Sequence, residues 1–285
     1  MYGYAYYRER GGGFTYLADL TTKTPLILRS INRKLKSDYT GSCVRIRRAS
    51  DNTEQDIGFV NDVIDTASIN TFISGTTGYC VKIYDQSGNG FDAVQTTSSK
   101  QAEIIEETLG GETRHYIWNK TGYYVCDSGA ANHNLNEYHE LIVALKTTTA
   151  FSTLSGKART NATYSSVDRQ LTPASSQLYI QQNSVFSVAA YPSPGYGQHL
   201  IYEMDRASSS VKPTGYVSSG TTTNSSQPNV TVSMTAVQHD RLFTSNGTGA
   251  NVFAGYFYEQ VEFTEKMGTS EQTSVRDNLK DFYSI

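Results

Sequence analysis

Apolar positions along this chain recur mostly with a period of two, in short runs separated by Gly, Asn and Ser clusters. Residues 42–48 alternate Val44 and Ile46 with Arg45 and Arg47, as a strand with one wet face does. Similar runs at 79–84, 116–118, 123–126, 140–145, 177–181, 185–190, 199–204, 215–217, 230–235 and 255–263 predict further strands. Helical spacing is confined to three places. Ile27, Leu28, Ile31 and Leu35 predict a short amphipathic helix over 27–36. Asp65 is placed to cap a second helix that buries Ile69, Phe72 and Ile73. The polar run Thr269-Ser270-Glu271-Gln272 opens a third, packed through Val275, Leu279, Phe282 and Tyr283. Many short strands with few helices predict an all-β sandwich or jelly roll.

Composition agrees with that pattern. The chain has 285 residues with 21 Tyr, 23 Gly and only 6 Pro. β-Branched and aromatic side chains suit a pleated, half-buried surface, which excludes a helical bundle or coiled coil. No apolar run approaches the ~20 residues of a membrane helix. Balanced charge, 24 Lys+Arg against 27 Asp+Glu, gives no field to draw in nucleic acid. The basic stretch from Arg29 through Arg33, Lys34, Lys36, Arg45, Arg47 and Arg48 reads as a solvated element end and a strand's outer face. Cys43, Cys80 and Cys126 have no metal-ligand or disulfide spacing and read as free, mostly buried thiols. The first 13 residues, MYGYAYYRERGGG, lack the apolar core of a secretory signal, so the expectation is folding in a reducing cytoplasm. Residues 1–24, rich in Tyr, Gly and Thr, read as an arm for attachment or oligomerisation, and 25–285 as one sandwich domain.

Two stretches carry a family resemblance. Tyr39-Thr40-Gly41, the turn from Arg48 to Asp51, Asp56-Ile57 and above all Tyr84-Asp85-Gln86-Ser87-Gly88-Asn89-Gly90 resemble the catalytic domain of α-L-arabinofuranosidase B. Phe257-Tyr258-Glu259 and the final helix resemble it too. The resemblance implies a concanavalin-A-like jelly-roll β-sandwich with a few short helices and a C-terminal helix. The block containing RASDNTEQDIGF is also similar to lectin-like domains of tailed-bacteriophage structural proteins. The residues Asp85, Ser87, Gly88, Asn89 and Gly90 read on their own as a structural turn. Gly88 and Gly90 permit positive φ, and the short polar side chains bond neighbouring amides.

The same resemblance implies a retaining glycosidase pair, a nucleophilic Glu in the middle third and an acid/base Asp shortly before the Phe-Tyr-Glu. Residues 141–202 hold a single acid, Asp168, and no acid stands between Asp240 and Glu259. Glu203 and Asp205, as Glu-Met-Asp, place both carboxyls on one strand face, which an exposed edge explains without chemistry. The implied early disulfide lacks its second half, because Ile73 stands opposite Cys80 in the pattern. The five His residues, His115, His133, His139, His199 and His239, show no metal spacing, and no cofactor is called for.

These observations lead to a first expectation of a non-enzymatic virion protein of a tailed phage: decoration, fibre or receptor-binding component, located in the virion. Its partners would be other virion proteins, further copies of itself and host-surface glycan, with neither nucleic acid nor membrane insertion. The loop 191–199, with Tyr191, Tyr196 and His199, has the aromatic and polar composition of a glycan contact. The alternative expectation is an arabinofuranosidase-like glycoside hydrolase with displaced carboxylates, Asp168 or Glu203. A bacterial adhesin is a third class.

Overall fold

The computed structural model describes residues 15–126, 136–147, 153–158, 167–173, 177–182, 185–190, 197–208, 210–211, 214–219, 222–226, 239–244 and 252–285. Strands dominate, joined antiparallel into a curled network that folds over itself as a sandwich.

One layer is built around Tyr138–Lys146, which pairs with His199–Arg206 on one side and Gly255–Phe263 on the other. Thr214–Ser219 and Thr222–Ser226 extend it outward, and Pro25–Ser30 and Glu112–Asn119 share the far edge of Gly255–Phe263. The second layer runs from Glu54–Ile57 through Val44–Arg48, Gly78–Ile83, Ala93–Val94, Tyr124–Val125 and His239–Leu242. It continues through Ser155–Ala158 and Val167–Pro173 to Gln177–Gln182 and Val185–Ala190. Ala102–Leu109 pairs with strands of both layers and hinges them together.

Between the layers lie Val44, Ile46, Ile83, Tyr124, Leu242 and Phe257, all fully buried. Phe243 meets Tyr124, Phe253 and Phe257 in edge and stacked contacts. Part of the interlayer contact is polar. Arg29 donates to Gln260 Oε1 at 2.6 Å and faces Asp240 across the sandwich at 3.6 Å. Gln260 passes the chain on to Glu140 at 2.7 Å, and Ser155 of the second layer donates to the same carboxylate at 3.1 Å. Burying charged groups is tolerable only with partners, and this relay supplies them.

The short helix Thr66–Phe72 is capped by Asp65, whose carboxylate accepts the Ser68 amide at 3.0 Å, and it buries Ile69 and Phe72. The C-terminal helix Thr269–Tyr283 lies on the outer face of the first layer through Val275, Leu279, Phe282 and Tyr283, as its spacing predicts. The helix expected over 27–36 is a correction: Pro25–Ser30 is a strand, and Leu26 through Arg33 are buried without interruption. This strand has the interlayer core on one side and the C-terminal helix on the other. Continuous burial erases the alternation that marks a half-wet strand, so its apolar residues mimicked helical spacing.

Most of the stretch read as an arm, residues 1–14, lies outside the described residues. Leu17–Leu20 forms a single 3-10 turn with Leu17 buried, and Thr21 and Thr22 reach Glu271 of the helix. All three cysteines are buried thiols outside any disulfide. The expected strand at 230–235 also lies outside the described residues.

Candidate active site

Two carboxylates under the C-terminal helix stand out chemically. Glu203 and Asp205 sit two residues apart on His199–Arg206, so both project to the helix-covered face. His139 lies directly opposite Asp205 on the central strand. The ligand-type atoms of His139, Glu203 and Asp205 all fall within 4.8 Å of one another, and all three residues are buried. Two carboxyls roughly 5–5.5 Å apart are the arrangement that a retaining glycosidase uses.

Cations from the helix and its approach fill the space around the pair. Arg276 holds Glu203 with two nitrogens, Nε at 2.5 Å and Nη2 at 2.8 Å. Lys266 lies 2.8 Å from Asp205 Oδ1, and Gln272 donates to Asp205 Oδ2 at 3.1 Å. The Met267 amide donates to His139 Nδ1 at 3.2 Å, which leaves the ring proton on Nε2, where it meets Glu203 at 2.5 Å. Burial pushes the Glu203 carboxyl up, and His139 with Arg276 more than offsets it, so the group stays below the ordinary glutamate value and ionised. The Arg276 guanidinium also lies over the Tyr216 ring at 4.6 Å. Tyr216 is opposite Glu203 on the next strand, and burial followed by the nearby carboxylates raises its hydroxyl well above normal.

The His-Glu-Asp grouping has the donor types of a divalent metal site, but its chemistry points elsewhere. Arg276 and Lys266 already balance two carboxylates, and a metal would have to displace both. Lys266 and Arg276 are also the partners that reach the surface, with 31% and 12% of their side chains exposed.

The other residues singled out from sequence fall in different places. Asp168 is on Val167–Pro173, with its side chain outside those described. Tyr191 and Tyr196 lie outside the described residues. His199 is half-buried at the start of its strand. Its Nε2 is 2.7 Å from the Tyr258 hydroxyl, which in turn donates to Glu107 at 2.5 Å. Burial raises the Glu107 carboxyl, and the bonds from His199 and Tyr258 bring it below its ordinary value.

The Asp85–Gly90 turn clasps the first strand. Asp85 Oδ1 accepts the Leu28 and Ser87 amides, and its Oδ2 accepts the Phe91 amide and the Ser87 hydroxyl. Asn89 reaches the Leu26 carbonyl, while Gly88 and Gly90 take φ of +91° and +78°. The basic stretch forms no patch, and its reading as solvated is a correction at Arg29, Arg33 and Arg47, which are buried, the first two against the distant Asp240 and Glu259. Arg45 pairs with Asp56 at 2.7 Å and Arg48 with Asp51 at 2.6 Å.

Nothing in the spacing of His139, Arg276 and Lys266 along the chain connects them to Glu203. The alternation of a strand places Glu203 and Asp205 on one face, but the exposed edge expected there is a correction: the strand is paired on both sides and both carboxyls are buried.

Against known proteins, residues 20–114 match the family model described as the catalytic domain of α-L-arabinofuranosidase B. No curated protein matches this chain. Among solved structures, an arabinofuranosidase complexed with arabinofuranosyl-α-1,2-xylobiose superposes with a TM-score of 0.74 at 19% identity. That match covers 92% of this chain and 64% of the other. A GH54 α-L-arabinofuranosidase soaked with a cyclic sulfate inhibitor gives 0.72 at 18% identity, covering 93% and 65%. A glutamine-for-glutamate mutant of a GH54 enzyme, soaked with 4-nitrophenyl α-L-arabinofuranoside, gives 0.74 at 19%, again covering 93% and 65%. This chain thus spans about two-thirds of the length of these neighbours, at most 65%. The sandwich of the arabinofuranosidase B catalytic type is thereby established as the fold. The expectation of a phage virion protein for decoration or receptor binding is overturned, because family model and structural neighbours fall on the glycoside hydrolase side.

Proposed function

We propose that this chain is an arabinofuranosidase-like glycoside hydrolase whose catalytic carboxylates are Glu203 and Asp205. The observation that carries the proposal is the placement of this pair. Two carboxyls with oxygens within 4.8 Å share one strand face, in a sandwich that superposes over 92% of the chain on an arabinofuranosidase.

In a retaining reaction the ionised carboxylate attacks the anomeric carbon while the partner carboxyl protonates the leaving oxygen. Glu203, held ionised by His139 and Arg276, is suited to the first role. Asp205, ion-paired with Lys266 in the free protein, takes the second once that ammonium has left and the carboxyl has taken up a proton. The resulting glycosyl ester is cleaved by water with Asp205 returning as the base, so the proton balance closes. For a sugar to reach the pair, the more exposed Lys266 side chain has to leave Asp205 while Arg276 stays on Glu203.

The test is release of 4-nitrophenol from 4-nitrophenyl α-L-arabinofuranoside. The full chain turns over, and Glu203→Gln and Asp205→Asn each lower kcat by roughly a thousandfold or more. Their unfolding midpoints separate lost chemistry from lost fold. Wild-type protein that releases no nitrophenol, or a Glu203→Gln enzyme with full activity, overturns the assignment.

A further inference from the structure

The second layer carries an open cleft on its outer face, on the opposite side of the sandwich from Glu203 and Asp205. Its floor is one row across three neighbouring strands, Lys82 opposite Val94 and Val94 opposite Val125. Their chain neighbours Ile83, Ala93 and Tyr124 are buried in the core, so the row faces outward. Val125 is 37% exposed and is one of three large apolar side chains left in solvent among the described residues. The walls are Asp92 on one side, with Lys100 and Tyr123 on the other, around a volume of about 450 Å³. Small-molecule sites commonly occupy roughly 300–1,000 Å³.

The walls are fixed before any ligand arrives. The Gln95 amide nitrogen donates to the Tyr123 carbonyl, and its oxygen accepts the Thr97 amide at 2.8 Å. Gly122 presses the Tyr123 turn onto the backbone of Lys100, where a Cβ would fall 1.8 Å from the Lys100 carbonyl oxygen. Asp92 is tied from below by the Asp85 amide at 2.9 Å. Walls that do not need ordering on binding spare affinity.

The charge in the cleft is unequal. Lys82 is 3.0 Å from Asp92 and neutralises it. Lys100 has no acid partner among the described residues and lies 5.5 Å from the Tyr123 ring centre. The cleft therefore offers an unpaired ammonium, an aromatic ring for sugar C–H faces, an apolar floor, and the exposed Thr96 and Thr97 hydroxyls.

We infer that this cleft binds an acidic saccharide, a uronic-acid segment of a glycan chain, with its carboxylate on Lys100 and its ring against Tyr123. The site is independent of the proposed carboxylate pair and would anchor a chain away from the point of cleavage.

Calorimetric titration of the full chain with trigalacturonate, beside the uncharged xylotriose, tests it. Trigalacturonate binds and xylotriose binds at least tenfold more weakly. Rising salt weakens the acidic ligand, and Lys100→Glu and Tyr123→Ala each cost tenfold or more. Lys100 is exposed, so its replacement leaves the fold intact, which the unfolding midpoint verifies. Glu203→Gln retains the binding, which keeps this result separate from the hydrolysis assay. Absence of trigalacturonate binding, equal affinity for both trisaccharides, or wild-type affinity in Lys100→Glu overturns the inference.

Discussion

Two arginine–glutamate pairs sit under the same C-terminal helix and have opposite characters. Arg33 grips Glu259 through Nε at 3.0 Å and Nη2 at 2.9 Å, and gives its third nitrogen to Asn278 at 2.7 Å. Tyr283 adds a hydroxyl to the same carboxylate at 2.8 Å, and the Phe282 ring covers the guanidinium at 4.3 Å. Both partners are about 1% exposed. Arg276 and Glu203 repeat the fork geometry, but Arg276 reaches the surface and a second carboxylate stands beside the first. Sealed on every side, the first pair locks helix to sheet. The second is open at one edge and has the spare acid that chemistry needs. Identical ion pairs thus divide into structure and candidate function by what surrounds them.

The comparison is broken most severely at the sealed pair. Glu259→Ala leaves a buried guanidinium without its anion and should cost about 3–5 kcal/mol in urea unfolding. A loss under about 1 kcal/mol would remove the distinction.

His115 sharpens the contrast from another side, as a buried titratable group with no seal. Neither ring nitrogen is hydrogen-bonded, and Glu106 at 3.8 Å is too far to serve. Burial lowers its pKa to about 4, against the ordinary 6.5. Between those values the unfolded chain binds the proton and the folded one does not. Stability should fall by about 3 kcal/mol as pH drops from 6.5 to 4. His115→Leu flattens that part of the stability–pH curve. An unchanged slope would show that the ring finds a partner in acid.

At the open pair the effect is smaller. Arg276→Met should cost about 1–3 kcal/mol, since Lys266 and His139 remain nearby. Glu203 has a depressed carboxyl, so it stabilises above its unfolded pKa, and that contribution is lost as pH falls through the folded value. Removing Arg276 raises the folded value and should move acid unfolding to higher pH, as circular dichroism would follow. If the midpoint does not move, Arg276 is not what holds Glu203 ionised.

The smallest effect lies at the helix start. Glu271 accepts the Gly268 and Thr22 amides at 3.0 and 2.7 Å, and these bonds hold its carboxyl at about 2. Glu271→Ala should cost about 1 kcal/mol, as lost helix caps do. The loss at neutral pH should fade below pH 4, where the carboxyl of the unfolded chain protonates. Thermal unfolding at pH 7 and pH 3 checks both.

Elements with a single buried face were legible in the sequence, as at Val44–Arg48, the Asp65-capped helix and the C-terminal helix. Pro25–Ser30 was not, because it is buried on both faces and its periodicity carries no strand signature. The candidate site was half legible. Glu203 and Asp205 fall on one face by the rule of alternation, and the turn at Asp85–Gly90 announces itself by its glycines. The family resemblance implies acids at other places, and only the covering helix, which brings Arg276 and Gln272, turns this strand-face pair into a buried cluster.

What the sequence determined by itself is therefore local: strand alternation, helix caps, turn glycines, and the absence of any global charge field. These depend on residues within a few positions of one another. The tertiary structure alone decided that Arg33 meets Glu259, that Arg276 and His139 hold Glu203, and that Lys82, Val94 and Val125 line one cleft. Each of those contacts joins distant segments, and no periodicity encodes the layer that brings them together.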